Sequence, residues 1–208
     1  MTDALSRACL PRVLPVATIP DVALAAPLAA ALAAGGATAI EVTFRTEAAP
    51  RVVAALAGSG LVVVAGTIRT PAQVDEAISA GAEVVVSPAL DDAVVARCLE
   101  AGVPVLPGVA TATELAHALS LGIDAVKLFP AEPLGGAALI TALAAPFPEA
   151  RFVPTGGLGA NNAAEYLRLP PVLAIGGSWM VASTLLAARD WDAVTRLTSE
   201  AIGLGEQA

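Results

Sequence analysis

Short apolar segments alternate with longer amphipathic segments along the whole chain. The apolar segments, such as 13–17, 61–65 and 83–86, are rich in valine and alanine and have the length of buried strands. The segments between them carry apolar residues at helical spacing, and many end at a glycine just before the next apolar segment, as in "AGG" and "SLGI". This pattern predicts about eight strands, each followed by a helix.

The predicted elements follow one another in regular order. Strands are expected over 13–17, 37–44, 61–65, 83–86, 103–106, 124–129, 152–154 and 172–175. Helices are expected over 21–34, 47–57, 71–80, 91–101, 111–121, 137–143 and 161–167, and from about 180 to the end. Strands that alternate with helices pair in parallel. The predicted fold class is therefore α/β, a single (β/α)8 TIM-barrel domain over 1–208.

A doubly wound open sheet is the alternative fold. Such sheets usually carry a glycine-rich loop after the first strand, and "VATIPD" is not a loop of that kind. The barrel is therefore the preferred prediction.

Composition excludes several classes of function. Hydrophobic residues make up 56% of the 208 residues, so the chain can bury a large core. A net charge of −8, with no basic run, argues against nucleic acid as a partner. His117 is the only histidine, which disfavours a Ser-His-Asp triad and a histidine-rich metal site. We expect no metal ion and no cofactor.

The pattern also argues against membrane insertion and secretion. Residues 22–40 carry no charge and are long enough to span a bilayer, but they are mostly alanine and contain a proline and two glycines. A helix that ends at the glycines and leads into a strand explains this segment better. Cys9 and Cys98 fit no disulfide or metal pattern and are interpreted as reduced thiols. We expect a cytoplasmic protein without membrane contact.

Two predicted strands each direct a charged residue toward the barrel interior. Side chains alternate between the two faces of a strand. Glu41 and Arg45 therefore share one face of the second strand, while the intervening positions that face the helices are apolar. Lys127, the only lysine in the chain, is expected to point inward from the sixth strand in the same way.

A buried lysine beside a glutamate suits iminium chemistry. Apolar surroundings favour the neutral form of an amine, and a neutral amine attacks a carbonyl carbon to form a Schiff base. A nearby carboxylate can move the protons that this reaction requires. The alternative, which the residues leave open, is that Lys127 and Glu41 form a structural ion pair.

Glycine pairs follow the last two predicted strands, in "PTGG" and "IGGSW". Glycines allow backbone N–H groups to approach a ligand closely. Phosphate sites in barrels of this kind lie after the seventh and eighth strands. The pattern therefore favours a phosphate site, and tight turns without a ligand are the alternative.

These residues together resemble the 2-keto-3-deoxy-6-phosphogluconate (KDPG) aldolase family, class I aldolases that include 4-hydroxy-2-oxoglutarate aldolases. The resemblance rests on "GGATAIEVTFRTEAA", "AGT", "VSP", "VLPGVAT", "VKLFPAE", "VPTGG" and "IGGSW", which occur in family order over 13–179. It implies a (β/α)8 barrel that assembles as a homotrimer. It also implies a lyase that cleaves the phosphorylated keto acid to pyruvate and glyceraldehyde 3-phosphate without a metal.

The resemblance also implies roles for particular residues. Lys127 would be the Schiff-base lysine, and Glu41 the general acid/base that acts through a water molecule. Arg45 and Thr67 would hold the carboxylate of the pyruvyl portion, and Pro88 would shape its pocket. The residues that would hold the phosphate end are Thr155, Gly156, Gly157, Gly177 and Ser178.

Three positions depart from the family pattern. Val64 and Ala89 stand where relatives commonly have glycine, and we expect them to add bulk near the mouth of the site. Thr18 stands where some relatives carry a basic residue. These differences bear on substrate breadth.

The natural substrate and the reaction class leave alternatives. The galactonate-derived epimer and unphosphorylated 4-hydroxy-2-oxoglutarate are alternative substrates within the family. A phosphosugar epimerase or isomerase would use the same barrel and phosphate end, but the interior lysine and the scarcity of histidine disfavour it. A protein that only binds a phosphate or carboxylate is a third possibility.

Overall fold

Strands and helices alternate along residues 3–206, the part of the chain that this computed structural model describes. The strands are β1 Val13–Ala17, β2 Ala39–Thr43, β3 Val62–Gly66, β4 Val84–Val86, β5 Val105–Leu106, β6 Gly108–Val109, β7 Ala125–Leu128, β8 Arg151–Phe152 and β9 Ile175–Gly177. The helices are α1 Asp3–Ala8, α2 Ala25–Ala34, α3 Ala49–Leu56, α4 Pro71–Ser79, α5 Asp92–Glu100, α6 Ala112–Ser120, α7 Ala131–Leu134, α8 Gly136–Ala144, α9 Ala163–Leu167, α10 Ser183–Ala188 and α11 Trp191–Glu206. Two 3-10 turns, Val22–Leu24 and Trp179–Val181, precede α2 and α10.

The strands form two curled parallel sheets. Six strands are joined in the order β5-β4-β3-β2-β1-β9, and three in the order β6-β7-β8. Only Pro107 separates β5 from β6, and proline has no N–H with which to continue a ladder. At the other edge, isolated parallel bridges join Phe152 to Val172 and Thr155 to Gly176. The predicted α/β fold with parallel strands is confirmed, whereas the described residues do not form one continuous ring of eight strands.

Several helices begin at a side chain that accepts a hydrogen bond from the first turn. The Thr70 hydroxyl accepts a hydrogen bond from the N–H of Gln73 at 3.2 Å, and the Asp91 carboxylate accepts one from Val94 at 2.9 Å. At α6, Thr111 accepts from the N–H of Glu114 at 3.2 Å. These caps satisfy N–H groups that have no partner within the helix. They set the residue at which each helix begins after the preceding loop.

The predicted elements differ from the observed ones in several places, and β6 and α7 are among the elements that were not expected. The strand expected over 172–175 begins only at Ile175 and continues to Gly177. The helix expected over 21–34 starts with a 3-10 turn before α2. Helix α1 was not expected, and it packs Leu5 and Ala8 against the interior of the curled sheet.

Two apolar clusters divide the core. The outward faces of the strands pack against the helices, as Ile40 and Val42 of β2 do. The inward faces, including Ala39, Val62 and Val64, form a second cluster that α1 covers. Apolar residues thus fill the amino-terminal end of the interior. The charged inward residues lie above them, toward the carboxyl ends of the strands.

The uncharged segment 22–40 is divided among a 3-10 turn, α2 and the start of β2. Among the described residues, no helix combines the length and the apolarity that a membrane span needs.

Candidate active site

Lys127 and Glu41 meet in the interior of the curled sheet. The Lys127 Nζ atom lies 3.2 Å from Oε1 of Glu41. Lys127 is 5% exposed and Glu41 is 1% exposed, so water is largely excluded from both. Glu41 lies at the third position of β2 and Lys127 at the third position of β7, with apolar neighbours that face the helices. The inward orientation expected from alternation is therefore observed for both residues.

Gly66 leaves the space that the Glu41 carboxylate occupies. It is the last residue of β3 and pairs in register with Thr43 of β2. A Cβ atom at Gly66 would lie 2.2 Å from Oε1 of Glu41. Any side chain at this position would displace the carboxylate.

Phe129 covers the lysine from the side of the cavity. Its ring centroid lies 5.3 Å from the Lys127 Nζ atom, within the range of a cation–π contact. The sequence interpretation did not include Phe129, although it stands two residues after Lys127 and so belongs to the same face.

The buried pair can exchange a proton within one hydrogen bond. The pair can exist as an ammonium with a carboxylate or as a neutral amine with a protonated carboxyl group. These two states differ only in the position of that proton. The neutral amine is a nucleophile toward carbonyl carbon, and the carboxyl group is then a nearby acid. This arrangement provides the two groups that Schiff-base formation needs.

A cavity of about 590 Å³ opens above the pair, at the carboxyl ends of the strands. Among residues 3–206, Arg45 is the only charged residue in its wall. Thr43 and Phe129 also line it, each two residues beyond Glu41 or Lys127 on the same strand face, so the pair lies one pleat below the wall. The residues that line the cavity are Val16, Thr18, Thr43, Arg45, Phe129, Thr155, Gly156, Gly157, Leu158, Gly176, Gly177, Ser178, Trp179, Val181, Ala182 and Ser183.

The cavity therefore gathers most of the sequence-predicted binding residues, and two lie outside its wall. Thr67 directly follows Gly66 and has φ 62, a left-handed conformation that is uncommon for threonine. Pro88 is half-buried beside Gly108, where a Cβ atom would lie 2.3 Å from the Pro88 carbonyl oxygen.

The three departures from the family pattern have different surroundings. Val64, expected near the mouth, instead packs in the apolar interior cluster, because it pairs in register with Glu41 at the depth of the buried pair. Ala89 is exposed. Thr18 lines the cavity, and its hydroxyl lies 2.8 Å from the Thr43 hydroxyl.

The loop after β8 directs three N–H groups away from its supports. The carbonyl oxygens of Thr155 and Gly156 accept hydrogen bonds from the N–H groups of Ala131 (2.8 Å) and Glu132 (3.1 Å). The side-chain amide of Asn162 donates to the Gly157 carbonyl at 3.2 Å. Each trans peptide places its N–H opposite its C=O. Gly156, Gly157 and Leu158 line the cavity, and we call their three N–H groups the amide nest.

The second glycine pair brings the end of β9 against this loop. The N–H of Gly176 donates to the Pro154 carbonyl at 2.9 Å. A Cβ atom at Gly176 would lie 2.2 Å from Oγ1 of Thr155, and one at Gly177 would lie 1.9 Å from the Trp179 ring. The glycines therefore allow Thr155 and Trp179 to pack into the wall beside Ser178. Trp179 was quoted in a sequence motif but was given no role there.

Side chains that could bind a metal ion are dispersed over the part of the chain that the structure describes. Within 3–206, no three His, Cys, Asp or Glu side chains come together in a way that could hold a metal ion.

Comparison with known proteins gives consistent matches over most of the chain. The model of the KDPG and KHG aldolase family matches residues 5–197. The chain is 49% identical over 202 residues to a 2-dehydro-3-deoxy-phosphogluconate aldolase of Treponema pallidum, and the aligned region covers 96% of this chain and 95% of that protein. It is 41% identical over 192 residues to a KHG/KDPG aldolase of Escherichia coli, covering 91% and 90% of the two chains.

Solved structures of similar proteins share the fold. The 2-keto-3-deoxy-6-phosphogluconate aldolase of Zymomonas mobilis, solved with 3-phosphoglycerate, superposes with a TM-score of 0.90 at 39% identity, covering 96% of this chain and 94% of that one. The KDPG aldolase of Legionella pneumophila, with pyruvate captured as a covalent carbinolamine intermediate, has a TM-score of 0.91 at 35% identity, covering 96% and 97%.

Proposed function

The chain belongs to the KDPG and KHG aldolase family, and from that membership we propose that it is a class I aldolase that cleaves 2-keto-3-deoxy-6-phosphogluconate to pyruvate and glyceraldehyde 3-phosphate. The observation that carries the proposal is the buried pair of Lys127 and Glu41, 3.2 Å apart, below a cavity that ends in the amide nest. The pair supplies the amine and the acid, and the nest suits a phosphate.

In the first half of the reaction, the neutral amine of Lys127 attacks the C2 ketone of the keto acid. Glu41 donates a proton to the carbinolamine hydroxyl, and water leaves to give an iminium ion. The buried position favours this sequence, because bulk water does not compete for the amine or the proton.

In the second half, the carboxylate of Glu41, acting through a water molecule, accepts the proton of the C4 hydroxyl. The C3–C4 bond breaks, its electron pair moves to the iminium, and the aldehyde leaves. Protonation of the resulting enamine at C3 and addition of water then release pyruvate and restore the amine. The iminium is the electron sink, so the reaction requires no metal, and turnover should persist in excess EDTA.

The two ends of the substrate would bind to different parts of the site. Arg45 is a charged residue of the cavity wall and has the planar fork that fits a carboxylate. Thr67 and Pro88 would complete the pyruvyl pocket from the side of Gly66 and Gly108. Thr155, Gly156, Gly157, Gly177 and Ser178 would hold the phosphate, with N–H donors and a hydroxyl in place of a second cation.

We also propose that the two sheets act as one (β/α)8 barrel forming a single domain. What supports this is that only Pro107 separates β5 from β6 and that isolated bridges join the opposite edges. The family resemblance supports a homotrimer, which light scattering would register as three times 20.6 kDa. The unpaired thiols of Cys9 and Cys98 support a cytoplasmic location.

Borohydride trapping tests the reaction class directly. The protein is incubated with pyruvate, reduced and examined by intact mass and peptide mapping. Lys127 is the only lysine, so the N-terminus is the only other amine that could be modified. We expect one reduced pyruvyl adduct on the Lys127 peptide and none in Lys127→Arg. A folded protein that forms no adduct would favour the structural ion pair, and with it an epimerase or a binding protein.

The amide nest favours a phosphorylated substrate over 4-hydroxy-2-oxoglutarate. Comparison of kcat/KM for the two keto acids tests this preference, and equal values would count against a phosphate site. The galactonate-derived epimer differs only at a stereocentre, so its turnover should be measured in the same assay.

A further inference from the structure

We propose that Glu132 is a positioning residue that holds the amide nest in the orientation needed to bind phosphate. The proposal rests on the phosphate end of the proposed function and names a residue to which no role has been assigned. Glu132 belongs to α7, which directly follows the strand that carries Lys127.

Glu132 contacts the loop through both its backbone and its side chain. Its N–H donates to the Gly156 carbonyl at 3.1 Å, which turns the N–H of Gly157 in the opposite direction. Its side chain packs under Gly157, where an added Cβ atom would lie 2.6 Å from the Glu132 Cβ. Gly157 has φ 83, so the peptide there can turn in a way that few other residues allow.

Tyr166 fixes the carboxylate of Glu132. The Tyr166 hydroxyl donates a short hydrogen bond to Oε1 of Glu132. Burial, followed by this hydrogen bond, raises the pKa of Tyr166, so the hydroxyl stays protonated and remains a donor. Gly136 leaves room for it, since a Cβ atom there would lie 2.9 Å from the hydroxyl oxygen.

These contacts close a ring of interactions around the nest. The loop leads into α9, which carries Tyr166, and Tyr166 returns to Glu132, which bonds the loop. Asn162 holds the far end of the nest through the Gly157 carbonyl. Removing the bond between Tyr166 and Glu132 opens the ring on the side of α7. The N–H groups can then turn apart, and a phosphate loses its aligned donors.

Phosphate affinity, measured without turnover, tests the proposal. Calorimetric titration with inorganic phosphate would compare the wild type with Glu132→Ala, Tyr166→Phe and Glu132→Gln. Glu132→Ala and Tyr166→Phe each remove one side of the bond, and we expect about tenfold weaker binding. Glu132→Gln keeps an acceptor for the hydroxyl and should restore most of the affinity. Glu165→Ala is the matched control, because it removes an exposed carboxylate from α9, the helix that carries Tyr166. This variant should bind phosphate as the wild type does.

Steady-state kinetics provides a second measurement. It separates a specific effect on the phosphate end from a general loss of structure, which would change the kinetics of both substrates. In Tyr166→Phe, KM for the phosphorylated keto acid should rise about tenfold while kcat and the KM for 4-hydroxy-2-oxoglutarate stay near wild type. Tyr166→Phe keeps the buried ring, so it remains informative if Glu132→Ala does not fold. Unchanged phosphate affinity in a folded Tyr166→Phe protein, equal changes for both substrates, or a wild type that does not bind phosphate would overturn the proposal. Failure of the aldolase function would appear separately, as the absence of a borohydride adduct on Lys127.

Discussion

Replacement of Gly66 by alanine should impair catalysis by moving one carboxylate. The new Cβ atom would lie 2.2 Å from Oε1 of Glu41 and 2.6 Å from its Cγ. Nonbonded heavy atoms prefer a separation of about 3.5 Å, so the carboxylate must move by about 1 Å. Such a shift would break the 3.2 Å contact with the Lys127 Nζ atom.

The size of the effect follows from the dependence of proton transfer on geometry. A misplacement of about 1 Å in a reacting group can cost about 100-fold in rate. That factor corresponds to about 2.7 kcal/mol of transition-state stabilisation. Overpacking at this buried site should also lower the free energy of unfolding by about 2 kcal/mol, which should still leave the variant folded.

The assay follows pyruvate release through lactate dehydrogenase under saturating substrate. Gly203→Ala is the matched control, since a Cβ atom at this glycine of α11 meets no other atom within 4 Å. That control should keep full activity and gain a little stability.

A double-mutant cycle shows whether the effect passes through Glu41. Glu41→Gln alone should lower turnover with folding intact, and adding Gly66→Ala to it should cause little further loss. A Gly66→Ala protein with kcat within about threefold of wild type would refute the steric reasoning. Insoluble Glu41→Gln protein would instead support the structural ion pair.

Four further outcomes follow from the structure. Lys127→Arg should abolish turnover, because a guanidinium stays protonated and cannot attack a ketone; retained turnover would remove Lys127 from the mechanism. Gly177→Ala would place a Cβ atom 1.9 Å from the Trp179 ring. KM for the phosphorylated substrate should therefore rise about tenfold, with a change in tryptophan fluorescence. An unchanged KM would contradict the packing of Trp179 against Gly177. Burial raises the pKa of Cys9 and of Cys98 from 9.0 to about 11, so both thiols should react slowly with a disulfide reagent at pH 8 unless the protein is unfolded. Because folding favours the neutral thiols, their stabilisation is complete below pH 9 and should be lost as the pH rises toward 11, and a stability that does not fall in that interval would contradict the burial.

The meeting of Glu41 and Lys127 could be predicted because it depends on a local rule. Each residue is flanked by apolar positions along its strand, and alternation then directs it inward whatever the loops do. The same rule applies to Phe129, which stands two residues after Lys127, so the cation–π contact was also within reach of the sequence.

The wall of the cavity depends on contacts that no local pattern records. Thr67 adopts a left-handed φ and is not among the residues that line the cavity. Trp179 enters the wall only because Gly177 provides room for its ring. Thr18 joins the wall through its contact with Thr43 on the neighbouring strand. Each of these features requires the tertiary structure.

The sequence alone could locate the interruption between β5 and β6 at Pro107, but it could not predict which strands pair on either side of it. A missing N–H can be recognised from the residue type, but the pairing of its neighbours depends on which strands lie alongside. Leu106 pairs with β4, whereas Gly108 pairs with Lys127 of β7. One proline thus marks the point where the chain passes from one sheet to the other.

The two sheets divide the reactive pair between them. Glu41 belongs to the six-stranded sheet and Lys127 to the three-stranded sheet. A partly folded chain that has formed only one sheet holds either Glu41 or Lys127, whereas the proposed mechanism needs both. Under the proposed mechanism, catalytic activity reports the docking of the two sheets, and in a refolding experiment it should return no earlier than the contact between β2 and β7.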